Sequence, residues 1–536
     1  MRRRSFIQSI AGLTVVSSFI ASCHKQRVIG GSVIGTSAHT GHLLRDKKFA
    51  APVSTTEHAV VIVGGGISGL SAARHLHRQG IRDIVILDLE KEMGGNAACG
   101  KNDISGYPWG AHYVPIPNND LTEYTDFMRE CGVITSDSTA LLPTYNEYHL
   151  CFDPEERLYI NGQWQEGLVP QFGVPEREKV QIRQFLEKMQ AFRIAKGQDG
   201  KDAFAIPLDN SSKDPAFVQL DSLTMKQWLQ QQGLTSEYLQ WYVNYCTRDD
   251  YGTTYDEISA WVGIQYFASR KGKGSNADHH DVLTWAEGNG WLAAHLKKEL
   301  QPYFHNQALV ARIHQDNEIL SVDYFDVKES RLKRINARQC ILAVPQFIAA
   351  RIMHDEERMQ KVHQHIQYSP WMVANIRTKE LEERNGPPLS WDNVLYNSQS
   401  LGYVEATHQE IRQGIQQRNL TYYLPLTAHT PAEERKTAIE MTHAEWVKLI
   451  VDDLEKVHPN IADAIEEVNV MVWGHAMAKP LPGIAHGTIR QELAASVNDK
   501  LHFAHTDLAG NSIFEEAFYQ GLSAAKKVTT HLSGNI

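Results

Sequence analysis

The sequence predicts an α/β + α+β chain: one unit built on a parallel sheet with helices, and a second unit of mixed strands and helices. Three observations carry that prediction. The 536 residues exceed one ordinary core and suggest two or three domains. Residues 59–63, Ala-Val-Val-Ile-Val, form a β-branched apolar run that leads into a glycine turn and a helical stretch, which is the start of a βαβ unit. Residues 157–164 then carry an Asn-Gly hairpin signal, and residues 175–195 and 222–270 have a helical period rich in aromatics. Those belong to hairpins and helices rather than to βαβ repeats.

Composition narrows the class. With 42% hydrophobic and 22% charged residues the chain is globular, and its formal charge of −10 comes with no long basic run. Nucleic acid is therefore excluded as an expected partner. At the N-terminus, Arg3-Arg4-Ser5-Phe6-Ile7-Gln8 has the arrangement of a twin-arginine export signal, followed by a short apolar region and by Ile20-Ala21-Ser22-Cys23, which resembles a lipobox. The expectation is export of the folded chain by the twin-arginine machinery to a bacterial periplasm, with a lipid anchor at Cys23 and residues 24–56 as a tether. This route suits a protein that acquires a cofactor before it crosses the membrane. The other cysteines, Cys99, Cys131, Cys151, Cys246 and Cys340, form no C-x-x-C pair, which argues against a disulfide scaffold.

After the strand at 59–63, Gly64, Gly66 and Gly69 stand in G-x-G-x-x-G spacing, with Ser68 inside the motif. The first glycine allows a tight turn, the second admits a pyrophosphate to the backbone, and the third lets the helix lie against the strand. The helix from about residue 67 to 77 points its free N–H groups at the phosphates, and Gly80 closes it. A second apolar strand at 84–87 ends at Asp88, about 20 residues past the last glycine, where a carboxylate accepts hydrogen bonds from an adenosine ribose. Gly94 and Gly95 then let the backbone pass close to a ligand.

Further on, Asn161-Gly162 predicts a type I′ hairpin. The aromatics Trp228, Trp241, Tyr245, Tyr251 and Trp261 fit core positions of helices. Asp278-His279-His280-Asp281 reads as a solvated loop, because adjacent side chains do not easily converge on one ion; no metal is expected. Residues 319–326 and 332–336 alternate as a hairpin, and Cys340-Ile341-Leu342-Ala343-Val344 is a further apolar strand. Near the C-terminus, Ser512-Ile513-Phe514-Glu515 has the pattern of a capping box before a helix that carries small residues at Ala517, Gly521, Ala524 and Ala525.

Several of these runs resemble the flavin-containing amine oxidase superfamily, which includes monoamine and polyamine oxidases, protoporphyrinogen oxidases and phytoene desaturase-like enzymes. The run from Ile86 through Asp88 to Gly94-Gly95 looks like its FAD-binding segment. Tyr107-Pro108-Trp109-Gly110-Ala111-His112-Tyr113 is similar to the segment that reaches the flavin next, and Trp473 through Gly483 to the one that crosses the flavin face. Leu501 to Glu515 resembles its last FAD motif. The resemblance implies a Rossmann-like, discontinuous FAD-binding domain from residues 57–113, 285–350 and 490–536, with a mixed-sheet and helical substrate domain from 114–284 and 351–489. It implies FAD contacts from Gly64, Gly66, Ser68, Gly69, Asp88, Gly94, Gly95, the backbone of Val310, Asp507 and the helix start at Phe514.

The implied reaction passes a hydride from a small organic substrate, an amine or polyamine, to FAD, and oxygen or another electron acceptor regenerates the cofactor. Candidate catalytic residues are His475, as a neutral base, with Tyr113 and His112 lining the site. Departures from the family pattern keep other readings open. The two tyrosines that flank the flavin in monoamine-type oxidases are matched by Ala476 and Ile513, and no lysine stands in Val373-Ala374-Asn375. A C–C or ring oxidase or desaturase is one alternative, and a flavin-bearing periplasmic redox partner without turnover is another.

Overall fold

The computed structural model describes residues 28–533, apart from 47, 317–318, 382–385, 412–413 and 415. The export signal and Cys23 lie outside the described residues. Two large sheets organise the chain. In the first, the strands Phe304–Asn306, Ile84–Asp88, Thr55–Val63 and Arg331–Leu342 lie side by side in parallel, and Leu501–Phe503 also pairs in parallel with Arg331–Leu342. The strands Ile319–Asp326 and Ala308–Asp316 extend that sheet as an antiparallel meander. Val60, Val61 and Ile62 are wholly buried, as the apolar run at 59–63 requires of a strand covered on both faces. The hairpin return at 332–336 and the apolar strand at 340–344 were expected as separate strands. They form one strand, Arg331–Leu342, because its first half pairs with the meander and its second half with Leu501–Phe503.

The second sheet has eight strands, in the order Val33–Gly35, Ile465–Ala478, Tyr368–Lys379, Gln417–Pro425, Tyr403–Glu405, Asp392–Leu395, Glu156–Ile160 and Gln163–Glu166. Its hairpin at Asn161-Gly162 has the positive φ values of 51° and 88° that a type I′ turn demands. The helices Glu176–Ile194, Met225–Gln231, Glu237–Tyr251 and Ala260–Ala268 pack Trp228, Tyr251 and Trp261 into a core against this sheet. The tether expectation is corrected here. Val33 pairs in parallel with Val470 at the sheet edge, and Ser37 Oγ donates to Glu90 Oε2 at 2.8 Å, so residues 33–37 are docked on the body. Backbone pairing along the edge strand 465–478 overrides their polar composition. All five described cysteines are free thiols, and no helix among the described residues is long and apolar enough to cross a membrane.

The chain ends meet where the glycine-turn helix, Ile67–Arg78, lies against the C-terminal helix, Phe514–Ser533. A Cβ on Gly521 would come within 2.0 Å of Ser68 O and 2.2 Å of Ser71 Oγ. Ser71 Oγ bridges the two helices, donating to Ser68 O and to Phe518 O at 3.0 Å each. Phe518 in turn packs on Tyr124 and Phe127, with ring centroids 5.4 and 5.7 Å away. Gly521→Val is expected to force the two helices apart at a cost of about 1–3 kcal/mol, the range of core overpacking. Urea unfolding of the FAD-loaded protein, read together with flavin release, checks this; an unchanged midpoint would show that the contact is dispensable.

Candidate active site

The glycine turn and the second glycine pair face one another. Gly66 and Gly94 form a parallel bridge, Gly94 N donates to Gly65 O at 2.9 Å, and a Cβ on Gly95 would lie 3.2 Å from Gly66 Cα. The two segments therefore make a groove walled by bare backbone. Asp88 closes one end, where its carboxylate accepts from Gly65 N at 2.5 Å and from Glu90 N at 2.7 Å. Burial pushes its carboxyl up to about 6, so a donor such as a ribose hydroxyl would offset that desolvation. Val310 lies buried in the strand beside it, at a register irregularity. Ser68 is buried under the C-terminal helix, with its carbonyl engaged by Ser71. That placement leaves its backbone N–H, in the first turn of the helix, as the group that can serve a phosphate.

Further along lies a cavity of about 140 Å³. Gly110 to Tyr113 form one wall and Trp371, Val373, Tyr423 and Trp473 another, while Ser512 to Glu515 bring the start of the C-terminal helix to it. Ala476 and Ile513 also line it. The walls are cross-braced: Trp473 Nε1 donates to Trp109 O at 2.7 Å, Tyr423 OH to Gly110 O at 2.9 Å, and Asn96 Nδ2 to Ala476 O at 2.5 Å. The capping box expected at Ser512 does not form. The helix begins at Phe514, one residue too late for Ser512 to cap it, and Ser512 Oγ accepts instead from Ala478 N at 3.3 Å.

One side of this mostly aromatic cavity is charged. Asp249 and Asp250, from the end of helix Glu237–Tyr251, face Tyr113 and Arg270. Tyr113 OH donates to Asp250 Oδ1 at 3.0 Å and lies 3.3 Å from Asp249 Oδ2, and Arg270 Nη2 reaches Asp250 Oδ2 at 2.6 Å. Arg270 and the Tyr113 hydroxyl thus both serve Asp250, and Asp249 keeps only the longer contact to that hydroxyl. Burial, reinforced by repulsion from Asp250, holds the Asp249 carboxyl above the usual range. Glu515 is likewise pushed up to about 7 by burial. The spacing of Asp249, Asp250 and Arg270 in the sequence carried no motif, and the sequence reading missed all three.

The catalytic candidates separate. His112 and Tyr113 are in the cavity wall. His112 packs on Tyr423, with ring centroids 4.5 Å apart, and burial lowers its imidazole to about 3. So weak a base fits a shape-giving ring better than a proton acceptor. Tyr113, whose hydroxyl burial pushes well above its usual value, serves as a hydrogen-bond donor to the two carboxylates. His475 is not in the cavity. Its ring lies 4.7 Å from that of Phe347 and 5.9 Å from that of Tyr368, in a separate hollow. The reason is a bulge: Trp473 pairs with Trp371 and Met477 with Ser369, so three residues stand opposite Pro370 alone. The extra residues turn His475 out.

Asp507 is held in a buried network. Its side chain is sealed inside the protein, where Oδ2 accepts from Tyr368 OH at 2.6 Å and Gln346 N at 2.7 Å. It stands in the short 3-10 turn Thr506–Leu508, with Oδ1 2.9 Å from His505 Nδ1. Thr506 is the half-exposed neighbour, and its hydroxyl donates to Ser512 Oγ of the cavity wall at 3.4 Å.

This geometry, a glycine groove leading into an aromatic cavity, meets its match in known proteins. The model of the family described as flavin containing amine oxidoreductase matches residues 67–529. The chain belongs to the flavin containing amine oxidoreductase family. FAD is the cofactor of that family, and the groove between residues 64–66 and 94–95, with Asp88 at its end, fits it. Among curated relatives, pseudooxynicotine dehydrogenase from Pseudomonas sp is 28% identical over 139 residues, 23% of this chain and 28% of that protein's length. The fold is that of a putrescine oxidase triple mutant, with a TM-score of 0.66 at 18% identity over 89% of this chain and 100% of that one. It is also that of cyclohexylamine oxidase from Brevibacterium oxydans, with a TM-score of 0.62 at 15% identity over 89% of this chain and 100% of that one.

A stability prediction follows from Glu515. A carboxyl raised from 4.5 to about 7 stabilises the fold below 4.5 and loses that contribution as pH rises through 7. Glu515→Gln is therefore expected to flatten the fall in apoprotein stability between about pH 4.5 and 7. Urea unfolding at about pH 5 and pH 8 measures it; equal pH dependence in both proteins would mean that the carboxyl is not held protonated.

Proposed function

We propose that the chain is an FAD-dependent oxidoreductase that oxidises an amine carrying a second cationic group, a diamine or polyamine. The observation behind the choice is the acidic side of the aromatic cavity, where Arg270 neutralises Asp250 and Asp249 has only the Tyr113 hydroxyl. A buried carboxyl of this kind favours a cation, because an arriving ammonium offsets the desolvation that otherwise keeps it protonated. When bound, FAD supplies the two-electron acceptor that takes a hydride from the carbon beside the amine nitrogen.

The chain's own residues bind and orient. Trp371, Tyr423 and Trp473 exclude water and give an ammonium group aromatic faces. Asp249 holds the distal cation, and Tyr113 and Arg270 keep the carboxylate pair in place. The first free N–H groups of helix Phe514–Ser533 offer positive dipole ends beside the cavity, where negative charge develops as the substrate is oxidised. Putrescine oxidase, which shares this fold, is by its name an oxidase of a diamine.

Asp249→Asn is expected to raise KM for putrescine-like diamines about tenfold or more while changing that for a monoamine of equal length much less. Anaerobic flavin bleaching with both substrate types measures the difference. Equal losses for the two types would remove Asp249 as a distal cation site. Ala476 and Ile513, in place of an aromatic pair, support a second reading, C–C or ring oxidation. Bleaching by a cyclic alkene or ring substrate and by no amine would select it, and bleaching by nothing in the panel would favour a redox partner.

We also infer that the chain works in the periplasm as a lipid-anchored protein, exported after FAD is loaded and re-oxidised there by oxygen or another acceptor. The Arg3-Arg4 pair and the lipobox ending at Cys23 support it. Replacing Arg3 and Arg4 by lysine is expected to leave the protein in the cytoplasm, and Cys23→Ala to abolish incorporation of labelled palmitate. Cell fractionation and labelling decide both; normal export of the Lys-Lys variant would sink the assignment.

A further inference from the structure

A second hollow, of about 410 Å³, lies between helix Glu237–Tyr251, the end of strand Gln417–Pro425 and helices Pro431–Glu440 and His443–Leu454. It shares no lining residue with the amine cavity. Leu426, Met441 and Leu449 give it an apolar wall. Arg248 also lines it, at only 8% exposure. A guanidinium that deeply buried ordinarily has a carboxylate partner. Arg248 has none among the described residues: Nη2 donates to the backbone carbonyl of Gln399, and Nε has no acceptor. Glu434, the acid in the same wall, is engaged instead by His429 N at 2.7 Å. The hollow therefore sets one buried guanidinium without a carboxylate partner against an apolar wall. Burial also lowers the Arg248 guanidinium to about 10, the direction expected when no anion is present.

We propose that this hollow binds an apolar monocarboxylate, with the carboxylate on Arg248 and the hydrocarbon chain against Leu426, Met441 and Leu449. A planar guanidinium matches a carboxylate through paired N–H donors. A single cation in an apolar wall fits one negative charge on a hydrophobic body better than a multiply charged, fully hydrated phosphate.

The test is isothermal titration calorimetry of the FAD-loaded protein with octanoate, octanol and inorganic phosphate. The expected result is saturable octanoate binding, at least about tenfold tighter than octanol or phosphate. Arg248→Gln is expected to weaken octanoate about tenfold or more. Met441→Trp, which leaves Arg248 in place and fills the hollow, is expected to block it; retained FAD shows that each variant is folded. Absence of saturable octanoate binding overturns the proposal, as does octanol binding equally well, since neither comparison needs a variant. Phosphate binding as tightly as octanoate overturns the apolar ligand class, and octanoate binding that survives both substitutions places the ligand elsewhere.

Discussion

The contact on which the rest of the molecule depends is the close approach of the two helices at Gly521. The glycine-turn helix begins the groove, and the C-terminal helix begins at the cavity. Only the absence of a side chain at Gly521 lets Ser68 and Ser71 come within reach of both. Roughly 450 residues of chain separate Ser71 from Phe518, yet one serine hydroxyl bonds to backbone on each helix. Tyr124, Phe127, Phe514 and Phe518 then fill the space on one side. Everything that assembles between residues 110–113 and 512–515 inherits its geometry from that packing.

A cavity held this way is rigid but electrostatically unfinished. Its buried imidazole is neutral, and its carboxyls at Asp249 and Glu515 are held above their usual range by burial. Such groups favour protonation when nothing cationic is present and ionise when a cation arrives. The aromatic walls lower the local dielectric and strengthen both tendencies. Tyr113 occupies the middle of this balance. Its ring packs 5.1 Å from that of His112, while its hydroxyl is committed to the acid pair, so it couples the shape of the cavity to its charge.

Much of the fold was legible because the signals were local. The β-branched run at 59–63, the Asn-Gly turn at 161–162 and the aromatic helices of 222–270 each satisfy a rule of backbone or period within a few residues. The misreadings arose where tertiary structure decides. Residues 33–35 look like linker because their only reason to be a strand is an edge more than 400 residues away. His475 was read as facing inward, and a bulge opposite Pro370 turned it out. The acid pair escaped notice because Asp249-Asp250 on a helix end is ordinary until Arg270 and Tyr113 are brought against it.

Those same differences explain why the family names the cofactor and leaves the substrate to the walls. The groove depends on glycines and backbone N–H groups, which any member with this turn can supply. The cavity depends on side chains contributed by nine separate stretches, and Val373, Ala476 and Ile513 stand in it with apolar side chains. With no tyrosine at Ala476 or Ile513, and no lysine at Val373, to orient an amine beside the flavin, discrimination falls to the far side of the cavity. There Asp249 meets Tyr113, and a cation is the one partner that relieves the cost of burying that carboxylate. On the proposed reading, selection by charge at a distance from the reacting carbon demands a substrate long enough to span the two, so the cavity would measure the length of the amine more than its reactive end.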